Sequence, residues 1–353
     1  MKAAVLHEFH TPLVIEEFDM PTVGDDDVLI QVAACGMCHT DIKVQEGEIP
    51  LQLPAVLGHE ISGVVVGTGK GQAAAFKEGD RVTVGMRYRC GRCKYCISGM
   101  ENLCQTRTQG TPYIQPGGAE VTRWNLGGFT QYMTIPGYML FRLPDGVDIE
   151  ESSVVGCRVT TAYNAVKNAA QLAPGESAAV IGCGGVGLNT IQFLSVFGAY
   201  PIIAVDVMDS KLEAAKRYGA THTINASGID AVEAIKDLTS GGADKSFEAI
   251  GNPITADQVV RSTRAGGTAT LIGSLVGQQL LLKDAGFAFR EVTIRGVAMR
   301  RTTDVIEVLD MVQQGRIDIS SFITKRYPYQ DINTAIDDVH QGNVLMGVVL
   351  WGD

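Results

Sequence analysis

The sequence predicts an α/β protein organised as two domains, and three observations carry that prediction. At 353 residues the chain exceeds what one ordinary hydrophobic core organises. From about residue 157 short apolar strands alternate with helical stretches, the pattern of βαβ units on a parallel sheet. Before that point the chain instead shows short β-branched runs cut by turn signals. Apolar residues at 45% supply ample core, and 41 glycines suit many tight turns.

In the first region, 2–6, 28–34, 60–67 and 81–84 read as strands, separated by turns such as Val23-Gly24-Asp25 and Glu78-Gly79-Asp80. The Gly-rich stretch 106–128 shows no period and is expected to be loop, after which 129–135 resumes as strand. In the second region 160–170 reads as helix, 178–181 as strand, 188–197 as helix, and 202–205 as a strand ending at Asp206. Helices at 210–218, 231–238 and 255–263 then alternate with strands at 221–224, 245–249 and 268–272. From roughly 299 the alternation lapses into helices at 303–314 and 332–340 and a strand at 347–350, a segment expected to return to the first domain.

Half of the eight cysteines fall within fifteen residues, as Cys90, Cys93, Cys96 and Cys104 in the pattern C-x2-C-x2-C-x7-C. Four thiolates at that spacing suit a closed tetrahedral zinc site with no open position. A disulfide cluster is the other reading, and it needs an oxidising compartment to which nothing else in the sequence points.

The run Gly182-Cys183-Gly184-Gly185-Val186-Gly187 is a second motif. Among so many glycines the pattern G-x-G-x-x-G arises easily by chance, so its context decides. Here it links a predicted strand to a predicted helix, and Asp206 ends the next strand. Gly182 suits the tight turn, Gly184 close backbone approach to a pyrophosphate, and Gly187 close helix packing, with Gly185 and Val186 opening the helix whose N-terminus favours anions. Asp206 can accept both ribose hydroxyls and would repel a 2′-phosphate, so NAD is favoured over NADP.

Four cysteines remain. Cys183 lies inside the glycine loop, where a small side chain fits, and Cys35 at a strand end reads as buried filler. Cys38, in Cys38-His39-Thr40-Asp41, and Cys157 form with His59 a Cys2His set that leaves a fourth zinc position for water or substrate. Glu60, directly after His59, can support that site.

In sequence order, CGMCHTD at 35–41, GHE at 58–60, the four-cysteine lobe at 90–104, Gly-Cys at 156–157, and GCGGVG at 182–187 with Asp206 resemble the zinc-containing alcohol dehydrogenases of the medium-chain dehydrogenase/reductase family. The resemblance spans essentially all of the sequence. It implies a GroES-like β-barrel catalytic domain made of 1–155 and 299–353, and a doubly wound Rossmann domain of 156–298 inserted between them. It implies two zinc ions per protein molecule: a catalytic one on Cys38, His59 and Cys157, with Glu60 as supporting or transient ligand, and a structural one on Cys90, Cys93, Cys96 and Cys104. Asp41 is then a partner behind the catalytic ligands. Thr40 matches the hydroxyl that takes the substrate proton, His39 a contact to the cofactor pyrophosphate, and Lys211 a residue at the adenosine ribose; Ile272 and Val297 join the NAD site. The implied reaction moves hydride between NAD and an alcohol/carbonyl pair, with zinc as Lewis acid toward the substrate oxygen.

Three positions depart from the family pattern. Lys43 stands where the proton relay usually ends in histidine. Val344-Leu345-Met346-Gly347 replaces a pyrophosphate-binding arginine, a charge that is either missing or supplied by another residue such as His39 or Arg301. Met86-Arg87-Tyr88-Arg89 precedes the lobe and Arg158 follows Cys157, at pocket-lining positions. Arginines there suit either an anionic or acyl-CoA-linked hydroxy substrate or salt bridges within an acidic protein.

A net charge of -10 excludes nucleic acid and anionic membrane as partners. The N-terminal residues lack the apolar core of a signal peptide, and no run approaches the roughly 20 apolar residues of a membrane span. A cytoplasmic enzyme is therefore expected, acting on a small alcohol or carbonyl, and the resemblance implies a homodimer or homotetramer. The rivals are the family's zinc-free double-bond reductases, which lack the Cys38, His59 and Cys157 set, and a non-catalytic zinc and nucleotide-binding protein.

Overall fold

The computed structural model describes residues 1–85, 87–106 and 110–352. The first segment carries β1 (Lys2–Leu6), β2 (Val14–Glu17), β3 (Asp27–Met37), α1 (His39–Gln45), β4 (Ala55–Val56), β5 (Glu60–Thr68), β6 (Arg81–Val84), α2 (Lys94–Ile97), β7 (Tyr113–Ile114), β8 (Glu120–Arg123), β9 (Tyr132–Pro136) and β10 (Leu140–Arg142). The middle segment carries α3 (Arg158–Asn164), β11 (Ala178–Ile181), α4 (Gly185–Val196), β12 (Ile202–Asp206), α5 (Asp209–Arg217), β13 (His222–Asn225), α6 (Ala231–Thr239), β14 (Ala243–Glu248), α7 (Pro253–Ser262), β15 (Thr263–Leu271) and β16 (Thr293–Gly296). The last carries α8 (Thr302–Gln313), β17 (Ile323–Pro328), α9 (Ile332–His340) and β18 (Met346–Leu350). They pack as two units, Met1–Cys157 with Arg301–Asp353, and Arg158–Arg300.

The first unit is organised around β3. Val28, Ile30, Val32 and Ala34 alternate into the core, as a strand with one buried face requires. β3 pairs antiparallel with β5, β9 and β18, in a sheet ordered β10-β6-β5-β3-β18-β17 with β9 off that path. The pairing of β18 runs from Gly347 opposite Met37 to Leu350 opposite Ala34, so the last segment completes the sheet begun by the first. A smaller sheet, β2-β1-β4-β8-β7, shares the core, where Leu6, Ile30, Ile61, Leu126, Phe129 and Trp351 are fully buried.

One expectation is corrected here. The stretch 106–128 is not all loop. Residues 107–109 lie outside the described residues, but β7 and β8 form an antiparallel hairpin with Tyr113 opposite Val121. Gly117 and Gly118, at φ +112° and +88°, turn it. Strands this short show no sequence period; tertiary packing holds them. Tyr113 stacks edge-on against Phe18 at 6.0 Å, and its buried hydroxyl donates to Gly127 O.

The second unit is a parallel sheet of six strands ordered β13-β12-β11-β14-β15-β16. Renumbered within the unit this is 3-2-1-4-5-6, with a reversal between β11 and β14 where doubly wound sheets bind nucleotides. β11 is buried along its whole length, and its Ala179 and Ile181 join Ile203, Val205, Ile235, Val259 and Val260 in one core cluster. The expected helix at 160–170 is α3 followed by a π-helical turn, Ala165–Ala169. The helix expected from 188 begins at Gly185, because the glycine motif itself forms its first turn.

Candidate active site and metal centres

β3 delivers Cys38 to the start of α1, where Cys38 has extended backbone (φ −97°, ψ 144°) and occupies the cap position. β5 begins with Glu60, and His59 lies directly before it, just after Gly58 at φ +90°. A side chain on Gly58 would strike the Phe129 ring at 2.7 Å and its backbone nitrogen at 2.8 Å, so only glycine fits the turn. Cys157 follows a tight turn ending in Gly156, whose missing Cβ would lie 2.4 Å from Val84 O. That absence lets the turn rest directly on β6. Cys38 Sγ, a ring nitrogen of His59, a Glu60 carboxylate oxygen and Cys157 Sγ then lie within 4.8 Å of one another.

Asp41 ties these elements together from one buried carboxylate. It accepts from Gly58 N (3.1 Å) and Cys38 N (3.3 Å), and lies 3.1 Å from His59 Nδ1. Burial would lower the His59 pKa, but Asp41 and Cys38 outweigh it and hold it well above the ordinary histidine value. So much negative charge around a buried ring suits a cation, and with Nδ1 on Asp41 the ring presents Nε2 to a metal. The donor set, two sulfurs, one imidazole and a carboxylate, fits zinc. Thr40 Oγ1 lies 3.5 Å from Cys38 Sγ, at the edge of this group. Cys35 is fully buried in β3 and is not among the clustered ligands; burial and then Asp41 raise its thiol pKa well above the usual range.

Cys90, Cys93, Cys96 and Cys104 form a second group. Their sulfurs are 3.5 Å (Cys93–Cys96), 3.6 Å (Cys90–Cys104), 3.8 Å (Cys93–Cys104) and 4.0 Å (Cys90–Cys96) apart. A disulfide requires about 2 Å, whereas four sulfurs about 2.3 Å from one zinc sit ~3.8 Å apart. The spacing therefore fits a tetrahedral metal and not a disulfide pair. The backbone N–H of Cys93 donates to Cys90 Sγ, and that of Cys90 to Cys104 Sγ. Donation from the Arg92 and Cys93 backbones pulls the Cys90 thiol pKa down to about 6, while burial, foremost, pushes Cys96 up to about 12. Glu101 accepts from Thr302 N, and Arg89 donates to Thr302 Oγ1 at 2.7 Å, fastening the lobe to the start of α8.

In the second unit, Gly182 has φ +98°, and a Cβ on Gly187 would lie 1.8 Å from Gly182 O. A Cβ on Gly184 would meet nothing within 4 Å, so open space lies at the α4 N-terminus, which has no side-chain cap. Those are the features a pyrophosphate uses. Asp206 accepts from Cys183 N at 2.8 Å and from Val207 N and Met208 N, which fixes its carboxylate beside the loop. Cys183 is buried, its sulfur 3.6 Å from Val205 O. Lys211 lies on α5, and Ile272 and Val297 follow the C-terminal ends of β15 and β16.

Residues 24–145 match the alcohol dehydrogenase GroES-like domain and residues 185–314 the zinc-binding dehydrogenase domain. An alcohol dehydrogenase of Geobacillus stearothermophilus is 32% identical over 99% of this chain and 98% of its own length. The protein belongs to the zinc-binding alcohol dehydrogenases. Among solved structures, an alcohol dehydrogenase zinc-binding domain protein from Burkholderia ambifaria has a TM-score of 0.93 at 29% identity, covering 100% of this chain and 99% of that one. Benzyl alcohol dehydrogenase from Acinetobacter calcoaceticus has a TM-score of 0.91 at 30% identity, covering 99% and 98%. No helix among the described residues is long and apolar enough to cross a membrane.

Within this alcohol dehydrogenase the departing positions resolve unevenly. Arg89 is engaged by Thr302 and lies 3.5 Å from Glu101, which is the salt-bridge reading. Arg158 is buried at the start of α3, and Met86 lies outside the described residues. Lys43 sits one turn along α1 from Thr40, with Nζ 3.6 Å from Glu48. His39 opens α1, its pKa lowered by burial despite Cys38. Arg301 caps α8, its backbone nitrogen donating to Asp304. Sequence reasoning missed Trp124, whose ring stands edge-on to His59 at 5.7 Å. Nothing in its local pattern, a lone aromatic before Asn125-Leu126-Gly127, could have shown that neighbour.

Proposed function

We propose that this protein is an NAD-dependent dehydrogenase of hydrophobic alcohols that carries two zinc ions per molecule. The observation that carries the reading is the Cys38, His59, Glu60 and Cys157 group with Asp41 behind His59 Nδ1. When bound, zinc supplies a Lewis acid for the alcohol oxygen and NAD a hydride acceptor. Cys38, His59 and Cys157 would hold the metal, and Glu60 stands ready as a further oxygen ligand. Thr40 would accept the alcohol proton, and Lys43, on the same face of α1, would keep its exit polar. Asp206 would hold the adenosine ribose and reject a 2′-phosphate. The Cys90, Cys93, Cys96 and Cys104 lobe would hold the second zinc without taking part in turnover.

Trp124 supports the substrate class, since an aromatic ring beside the metal ligands favours an apolar or aryl substituent. Engagement of Arg89 by Glu101 removes one of the groups that an anionic substrate would need. Metal analysis together with NAD- and NADP-linked oxidation of benzyl alcohol, aliphatic primary alcohols and hydroxy acids tests the reading. Near two zinc per molecule, turnover of benzyl alcohol and a strong preference for NAD are expected. One zinc or none with no alcohol oxidised, or equal use of NADP, would overturn it.

A further inference from the structure

Glu248 ends β14, the strand on one side of the reversal in the parallel sheet, and its side chain is fully buried. A carboxylate closing a buried strand runs against the usual placement of charge and calls for an explanation. One of its oxygens makes all of its bonds. Oε1 accepts from Ile250 N at 2.9 Å, Gly251 N at 2.8 Å and Thr255 Oγ1 at 2.8 Å, with Asn252 N at 3.5 Å. Oε2 is buried without a hydrogen-bond partner among the described residues, and a Cβ on Gly273 would stand 2.6 Å from it. The carboxylate is not needed to cap α7. Asn252 already does that, its side chain accepting from Ile254 N at 2.8 Å, with Pro253 in the first turn. What Glu248 holds is the turn before the helix, residues 249–251.

That turn sits between the ends of β11 and β15. On one side it rests on the glycine loop: a Cβ on Gly182 would lie 2.4 Å from Ile250 Cγ1, and one on Gly187 3.4 Å from Ala249 Cβ. On the other side a Cβ on Gly273 would lie 2.0 Å from Gly251 N. Gly251 itself, at φ +86°, would bring a Cβ to 2.5 Å from Ser274 O. Ile250 is 48% exposed, so the turn also presents an open surface beside the loop. The crevice at such a reversal is where a doubly wound sheet takes its nucleotide.

We propose that Glu248 is a positioning residue for the dinucleotide: its Oε1 fixes residues 249–251 against Gly182 and Gly187 and thereby sets the shape of the crevice. The inference rests on the reading that the glycine loop takes NAD. It deepens that reading by tying nucleotide affinity to a carboxylate that is itself wholly buried. With the turn out of place the binding-competent fraction falls, and the apparent Kd rises by the inverse of that fraction. The geometry requires an acceptor more than a charge, since a single oxygen is engaged.

The test titrates NADH into the full metal-loaded protein and follows its fluorescence. Glu248→Met, of similar length but without an acceptor, should raise the Kd for NADH roughly tenfold or more. Its KM for NAD should rise in step, while kcat at saturating NAD, KM for the alcohol and zinc content stay within about twofold. Glu248→Gln, which keeps the acceptor, should hold the Kd within about threefold. Thr255→Val removes one donor and leaves the carboxylate in place, and it should raise the Kd for NADH several-fold. An unchanged Kd in Glu248→Met or, where that variant does not fold, in Thr255→Val would overturn the proposal. So would Glu248→Gln weakening NADH as much as Glu248→Met, or a parallel loss of kcat and zinc, which marks damage to the whole fold. Failure of the unsubstituted protein to bind NADH is a separate result: it would overturn the NAD reading itself, and this inference with it.

Discussion

Replacing Asp41 by asparagine is the sharpest probe of how the metal group is held. The aspartate serves three donors from one buried carboxylate: Gly58 N, Cys38 N and His59 Nδ1. Asparagine keeps the shape and one acceptor. If its oxygen stays on Gly58 and His59, its amide nitrogen faces the Cys38 N–H, donor against donor. A hydrogen bond to a charged group contributes about 1.5–3 kcal/mol, and loss of a partner behind a metal-binding histidine costs roughly 10–100-fold in metal affinity. The two figures agree, since tenfold is about 1.4 kcal/mol. Zinc release followed with a chromophoric chelator should therefore show one zinc leaving Asp41→Asn roughly 10–100 times more readily, with kcat/KM falling in step. The lobe zinc should be unaffected. If both zincs loosened equally, or affinity stayed within about twofold, Asp41 would not be the organiser described here.

Cys93→Ser should lose the lobe zinc and melt at lower temperature while the remaining folded protein keeps its turnover number; lost turnover in a stable, fully assembled protein would refute that division of labour. Gly187→Ala places a methyl 1.8 Å from Gly182 O, which only backbone movement relieves. Overpacking of this kind costs ~1–3 kcal/mol, and the KM for NAD should rise with little change in metal content. Asp338 is held down to about 2 by Lys325, then by Tyr327 and Asn343. A depressed carboxylate adds stability above its unfolded pKa, near 3.9, and that contribution vanishes as pH falls toward about 2. Asp338→Asn should accordingly melt lower at pH 7 and converge on the unsubstituted protein near pH 2.

What could be read from the sequence follows the range of the interactions. The four-cysteine group lies within fifteen residues, so its spacing alone announces a metal. The alternation of the second unit is likewise local, and its strands 178–181 and 202–206 emerge where the apolar runs stand. Cys38, His59 and Cys157 are separated by long stretches, and residue chemistry alone left them as a suggestion until the family pattern joined them. The hairpin β7–β8 escaped notice because strands of two and four residues have no period and depend on Phe18 and β4 for their place. The partners of Arg89 were invisible for the same reason. Glu101 and Thr302 reach it only through the fold.

The pairing of β18 with β3 has a consequence for the order of synthesis. Gly347 lies opposite Met37, immediately before the ligand Cys38. The strand that presents the first thiol therefore gains this neighbour only after residues 347–350 have been made. Cys157 is made roughly 10–40 s earlier at translation rates of about 5–20 residues per second. During that interval Cys38, His59 and Cys157 exist on an incomplete sheet, while the contiguous segment Arg158–Arg300 is already whole. The sheet behind Cys38 is thus complete only once residue 350 has emerged, whereas all four cysteines of the compact lobe are present as soon as residue 104 has.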